Sequence, residues 1–457
     1  MEFLSLPYVV LIIFAFVLYY AKANYHWQRA VLLLSSVVFI GYYHLMYLCV
    51  AVGIALFTYY AGRLLYSKRG TKASPYILAG SIVALAGGWL AARYWSPLFP
   101  LGISFYTFQA LSYLIEIYWE EEEPEPDLLN FILYMLLFMK FLSGPIERGY
   151  DLLPQLKKAH PFCYENITYG MKFVVVGAFM KLVIADRIAP FLNAVFGAVH
   201  GASGIQLLES TLLYPIQLYA DFAGYTNMAI GFGIMFGFKL SPNFNRPFVS
   251  ITTGELWRRW HMSLSFWVRD YVFVPLSAET RRWKSWGIYF SLLVTFTAIG
   301  VWHGAGWNYA IYGLIQGVII IYETAAAKQR DWLQSHMLKQ IYKPLFIIRT
   351  YLLFAFSLLF FRIEKMSDIC YVYRHIFDGV NTSLKETNLG MPDFNWIAFG
   401  IAVVLMFVFE YFNSKRDLLK LVTRQKVWFR WAIYYVMIML IFLFGAFGVE
   451  DFIYIQF

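Results

Sequence analysis

The stretch Trp257–Asp270, WRRWHMSLSFWVRD, lodges Arg258, Arg259, His261, Arg269 and Asp270 among tryptophans and other apolar residues. Further along, Trp302–Trp307, WHGAGW, interrupts a long apolar run with one imidazole flanked by small residues. Polar groups are costly in such surroundings. An ionisable residue at mid-membrane costs about 2.5–3.5 kcal/mol on insertion scales. The two stretches therefore read as a membrane protein that keeps buried polar residues for a site.

The rest of the chain agrees. Of its 457 residues, 60% are hydrophobic and only 14% are charged. Mean hydropathy is +0.56. A soluble chain of this length needs far more polar surface, so the composition implies a polytopic, all-α membrane protein. Aromatic residues, at 20%, suit both bilayer interfaces and the packing of helix bundles. The net charge of +9 reads as basic residues holding loops on the cytoplasmic side. No basic run is long enough to make a nucleic-acid patch, so no nucleic-acid partner is expected.

Apolar runs of spanning length recur. About 11 transmembrane helices are expected, starting with a retained first helix at 4–21. The segment 141–262 is broken by Pro145, Pro154, Pro215, Pro242 and Pro247. Irregular backbone at membrane depth survives only where protein or a water-filled cavity satisfies it, so re-entrant or interfacial helices are expected there. Gly224 is read as a break between helices at 206–220 and 225–238. The basic connections 63–72, 328–343 and 413–430 read as cytoplasmic, and counting helices from them puts both termini outside. On that count His303 ends an outward-going helix, and Gly304 and Gly306 let the chain turn back. The acidic run Glu120–Asp127 reads as a solvated loop. Asn166–Thr168 and Asn381–Ser383 fit the glycosylation pattern.

Chemistry concentrates on few residues. A neutral imidazole at His303, kept from protonating by desolvation, is available as a base. Gly304, Ala305 and Gly306 leave room for a ligand, Trp302 and Trp307 are candidate walls, and Asn308 adds a donor and an acceptor. His261 is the second candidate. Arg258 and Arg259 read either as side chains reaching for lipid phosphates or as a site for a phosphate-bearing donor. Asp270 is expected to satisfy Arg269. Asp221–Asn227 reads either as lining a cavity or as fixing a helix end, the second being expected, and Glu147 and Arg148 are expected to serve structure. Cys49, Cys163 and Cys370 lie far apart and form no metal or redox motif. No nucleophile elbow, phosphate loop or zinc-protease motif occurs. These residues fit an acyltransferase or a transporter.

Five blocks resemble the membrane-bound O-acyltransferase family, in particular its bacterial alginate O-acetyltransferase branch. They are Pro100–Tyr118, Ser143–Gln155, Asp221–Gly231, Gly237–Leu276 and Thr297–Gly313. Phe360-Phe361-Arg362 is similar to a later landmark of the family. The resemblance implies a ring of tilted helices around a thin central site, formed by about 11 transmembrane helices plus re-entrant or interfacial ones. It implies a single domain over 1–457, with N-terminal helices 1–98, a core 99–326 holding both histidine blocks, and C-terminal helices 327–457. It implies acyl transfer to a hydroxyl, with His303 as the essential histidine and His261 as the second one. The expected donor is a cytoplasmic acyl thioester, acetyl-CoA, with no tightly bound cofactor and no metal. The expected acceptor is an exported or cell-surface polysaccharide. A periplasmic partner of SGNH-hydrolase type and a place among the lipids of the bacterial inner membrane follow from the same resemblance. D-alanyl transfer to teichoic acid and acetyl transfer to peptidoglycan are its alternatives within the family. The sequence departs from the family at Ala223, Asn227 and Ser277–Thr280.

Overall fold

Long apolar runs leave backbone groups no partner but their own chain, and a helix satisfies them internally. The computed structural model describes residues 3–95, 99–379, 391–448 and 452–453, and every regular element among them is helical. The Asn381–Ser383 pattern lies outside these residues. Among the described residues seven helices are long and apolar enough to cross a membrane: Leu45–Ser67, Ser74–Tyr94, Tyr164–Gly197, Ser285–His303, Lys339–Arg362, Asp393–Asn413 and Val427–Phe444. Trp307–Ala325 and Ala327–His336, bent by 62°, add an eighth if they form one span. That is fewer than the 11 expected, because several apolar runs make shorter helices. Leu6–Ala21 has 16 residues and Leu128–Leu136 has nine. Phe14, Val17, Val83, Val404 and Phe442 point outward, as a surface facing lipid requires. The chain is a multi-pass membrane protein.

Two compact units divide the chain. The first holds residues 1–177, 225–242 and 454–457, and the second holds 178–224 and 243–453. In the first, residues 137–148, which include Pro145, are irregular and buried. Their polar groups are met locally. Phe138 N–H donates to Ser36 Oγ at 3.2 Å, and the Tyr134 hydroxyl donates to the Glu147 carbonyl at 3.0 Å. The Glu147 carboxylate receives the Ser241 N–H at 2.6 Å and the Ser241 hydroxyl at 3.0 Å.

The acidic run is a loop, as expected, but it is solvated only in part. Glu125 is only 2% exposed. It pairs with Lys157 at 2.7 Å, and its backbone N–H donates to the Tyr113 hydroxyl at 2.8 Å. Asp127 caps the helix Leu128–Leu136 and pairs with Arg29 at 2.5 Å. Glu120, Glu121 and Glu123 stay exposed, whereas Glu125 and Asp127 clasp bases from other parts of the chain, which local composition does not reveal.

In the second unit, helices Ser285–His303 and Trp307–Ala325 form a tight hairpin. A β-carbon on Gly313 would lie 2.2 Å from the Phe296 carbonyl oxygen, so only glycine permits this approach. The expected break at Gly224 is absent: one helix runs from Gly204 to Met235. A single interior glycine costs about 1 kcal/mol relative to alanine. Burial of Ala220, Phe222 and Ala223 and the 2.7 Å pairing of Asp221 with Lys181 outweigh that. Asp221–Asn227 is therefore helix interior and does not fix a helix end.

Candidate functional site

His303 is the last residue of the helix Ser285–His303 and is 3% exposed. Its Nδ1 lies 2.7 Å from the Ile299 carbonyl oxygen, one turn back in the same helix. A carbonyl only accepts, so Nδ1 carries the proton and Nε2 is the acceptor nitrogen of the ring. The ring sits among Trp302 at 4.6 Å, Phe361 at 5.1 Å and Tyr312 at 6.4 Å between centroids. Asn308 supports this wall. Its amide donates to the Phe360 and Ile363 carbonyls at 3.0 and 3.2 Å, which holds the turn that presents Phe361.

Two expectations about this turn change. Trp302 is buried, but Trp307 is 83% exposed and walls nothing. The space beside Gly304 is already filled, since a β-carbon there would lie 2.0 Å from the Tyr309 ring; beside Gly306 it would lie 2.0 Å from Asn308 Oδ1. The small residues admit the chain's own side chains.

His261 reaches the same neighbourhood by a different route. It is 1% exposed and adopts a left-handed backbone, φ 43° and ψ 54°, just before the helix Met262–Val268. A non-glycine residue held there costs on the order of 1–3 kcal/mol. Asn243 holds it. The Met262 N–H donates to the Asn243 carbonyl at 2.8 Å. The Ser263 N–H and hydroxyl donate to Asn243 Oδ1 at 3.2 and 2.9 Å. Because a backbone N–H can only donate, that atom is the amide oxygen. His261 Nδ1, 3.1 Å from the same oxygen, must then carry its proton, which makes Nε2 the acceptor here too. The Phe222 ring meets His261 edge-on at 4.7 Å. Trp302 lies 6.2 Å from His261 and 4.6 Å from His303, so the indole is shared by both imidazoles. Burial, and then the charge of His303, hold the His261 imidazole well below its ordinary value.

The arginines separate. Arg259 is a strut: its guanidinium bonds Glu255 at 2.9 and 3.0 Å and the Asn245 carbonyl at 3.2 Å. Arg258 is exposed. Arg269 and Asp270 pair at 2.7 Å as expected, but with their side chains 55% and 35% exposed rather than buried. Trp257 is anchored by its indole N–H on Gln316 at 2.9 Å, and Gln316 donates onward to Ser357 at 2.7 Å. Glu323 receives the Thr253 and Gly254 N–H groups at 2.8 and 3.2 Å and pairs with Arg349 at 2.6 Å, fixing the helix Thr253–Trp257.

Sequence reasoning missed Asn243 and Lys181. Asn243 lies in Pro242-Asn-Phe-Asn-Arg-Pro247, and a polar residue between two prolines was the available signal. Lys181 is a cation inside an otherwise apolar run. Among the described residues no cluster of three or more His, Cys, Asp or Glu side chains offers a metal site. The arrangement supplies two imidazoles of fixed tautomer, each with Nε2 as a base nitrogen, about one indole.

Comparison with known proteins gives a consistent picture. Residues 120–363 match the family described as MBOAT, membrane-bound O-acyltransferase family. The probable alginate O-acetylase AlgI of Pseudomonas aeruginosa is 29% identical over 440 residues, covering 91% of this chain and 82% of its own. The peptidoglycan O-acetyltransferase of Helicobacter pylori is 31% identical over 345 residues, 66% of this chain and 65% of its own. The teichoic acid D-alanyltransferase of Bacillus subtilis is 31% identical over 300 residues, 59% of this chain and 74% of its own.

Proposed function

The chain belongs to the membrane-bound O-acyltransferase family, and from that premise we propose that it passes an acetyl group from cytoplasmic acetyl-CoA towards an exported or cell-surface polysaccharide. The single observation that carries the mechanism is the hydrogen bond from His303 Nδ1 to the Ile299 carbonyl. It leaves Nε2 as the base. His303 Nε2 takes the proton of the attacking hydroxyl as the hydroxyl oxygen bonds to the thioester carbonyl carbon. The carbon–sulfur bond then breaks, and the departing thiolate receives that proton from the imidazolium to leave as a thiol. Proton transfer by a positioned base is worth typically about 10²–10⁴-fold in rate. His261, neutral and fixed by Asn243, orients or assists.

The likeness to alginate O-acetylases extends over more of the chain than the other two, which favours acetyl transfer to a polysaccharide over peptidoglycan acetylation or D-alanyl transfer. The basic connections support a bacterial inner-membrane orientation with both termini outside and His303 at the outward end of its helix. Donor phosphates are held by Arg258 at the cytoplasmic mouth. Arg259, spent on Glu255 and Asn245, shapes that mouth. A separate periplasmic acyltransferase of SGNH-hydrolase type completes the transfer.

The test uses inside-out vesicles containing the protein and its periplasmic partner, fed labelled acetyl-CoA. Wild type is expected to release and transfer label, and His303→Ala to do neither at equal protein level. Equal turnover by the two proteins would overturn the role of His303. No turnover of acetyl-CoA by wild type, with turnover of an acylated carrier protein, would replace the donor.

A further inference from the structure

In the first unit Lys140 donates to Gln109 at 2.7 Å, which closes an irregular segment and needs no further role. A groove of about 310 Å³ lined by Ile315, Ile319, Leu353 and Phe356 faces outward with nothing to name its occupant. The buried charges around Lys181 are different, because a chain of contacts runs from them to His261.

Lys181 lies in a π-helical turn, Met180–Ala185, within a longer helical run. Such turns insert one extra residue, re-aim side chains and are frequent at functional sites. Lys181 Nζ pairs with Asp186 and Asp221, each at 2.7 Å, and all three side chains are buried. The second oxygen of Asp221 receives the Ile453 N–H at 3.0 Å. Each residue of this last pair has a phenylalanine as chain neighbour, and the two rings meet. Phe222 and Phe452 lie 5.9 Å apart between centroids. Phe222 is the ring that stands edge-on to His261 at 4.7 Å, and it also packs at 5.2 Å on Phe244, the neighbour of Asn243. The π-helical turn and the helix that follows it, Asp186–Gly197, each hold the chain a few residues before Phe452. Ala446 N–H donates to the Leu182 carbonyl at 2.9 Å, and Arg187 Nε donates to the Phe444 carbonyl at 2.9 Å.

We propose that Lys181 and Asp221 are positioning residues: their ion pair sets Phe222 against His261, and Phe452, docked through Asp221, backs that ring from behind. A carboxylate next to the ring fixes the helix residue that carries it, while the lysine fixes the carboxylate. His261 is thus seated from one direction by the amide of Asn243 and from the other by an aromatic ring under ionic control. The inference rests on the acyl-transfer reading for its activity readout alone.

The experiment therefore pairs activity with a readout that needs no substrate. Purified wild type, Lys181→Met, Lys181→Arg and Phe452→Ala are treated with diethylpyrocarbonate, and modification of each histidine is followed by peptide mass spectrometry. Lys181→Met and Phe452→Ala are expected to raise the rate at His261 several-fold and leave the exposed His200 and His336 unchanged. Lys181→Arg, which keeps the pairing, is expected to restore the wild-type rate. In the vesicle assay kcat should fall by up to about 10²-fold in Lys181→Met, the cost of misplacing a group by about 1 Å, with KM little changed. Wild-type reactivity at His261 in both Lys181→Met and Phe452→Ala overturns the proposal. If Lys181→Met fails to fold, Phe452→Ala, which removes no charge, decides it by the same readout. If wild type turns over no thioester at all, the function reading fails, and the modification rates still decide the positioning role.

Discussion

The two histidines share one indole and are held in opposite ways. His303 sits in a regular hairpin, and its tautomer is set by a carbonyl four residues away in its own helix. His261 sits in a short irregular stretch, on a strained backbone, and its tautomer is set by an amide 18 residues earlier. A local bond to backbone survives almost any side-chain substitution nearby. A distant bond to a side chain can be deleted by one mutation. The first histidine is placed by helix formation, the second by tertiary structure.

The largest expected effect breaks the site on its robust side. His303→Ala should lower turnover by about 10²–10⁴-fold, the range for a general base, while Ile299→Ala, which keeps the carbonyl, should retain most activity. Comparable losses in both would show that the carbonyl bond is not what places the ring. Asn243→Ala should come next. It strands the buried donors of Ser263 and His261, at about 1–3 kcal/mol for an unsatisfied buried group, and should lower both thermal midpoint and turnover. Asn243→Asp, which keeps an acceptor, should lose less; if the two variants behave alike, the amide oxygen is not the anchor.

Acid tests how firmly His261 is held. The fold holds His261 neutral, whereas an unfolded histidine takes a proton near pH 6.5 or about that value. The unfolded state thus gains a proton that the folded state refuses. The stability due to neutral His261 is present above about pH 6.5 and is lost as pH falls below it. Thermal midpoints measured from pH 8 down to about pH 5 should therefore drop more steeply for wild type than for His261→Gln. Parallel curves would sink this assignment. The smallest effect lies in the acidic clasp of the other unit. Burial, then Glu116 and Asp151, push Glu122 up to about 8. Its charge is a burden that grows as the pH rises from the ordinary carboxylate range towards that value. Glu122→Gln should raise the midpoint by a few degrees at most at pH 8 and hardly at all near pH 4.5 or so. An equal shift at both would show that Glu122 carries no such burden.

Much of the fold was legible because hydropathy is a local sum. Most long apolar runs among the described residues became helices, and the turn after His303 was readable from Gly304 and Gly306. The misreadings share one cause. Gly224 looked like a helix break, yet its helix continues because Asp221 finds Lys181, 40 residues earlier in the chain. Glu125 looked solvated until Lys157 was seen to meet it. Gly304 looked like space for a ligand until Tyr309 filled it. In each case a polar group or a gap was judged without the partner that distance along the chain conceals.

By itself, the sequence determined that this chain lives in a membrane, that it is helical, and that His303 and His261 are its candidate bases. Those conclusions follow from composition, periodicity and the cost of polar groups in apolar surroundings, all of which act over a few turns of helix. Only the tertiary structure decided which nitrogen of the His261 ring accepts, which arginine is a strut and which is exposed, and what backs His261. Such choices depend on hydrogen bonds and ring contacts between residues far apart in the chain, and these exist only once the helices have packed.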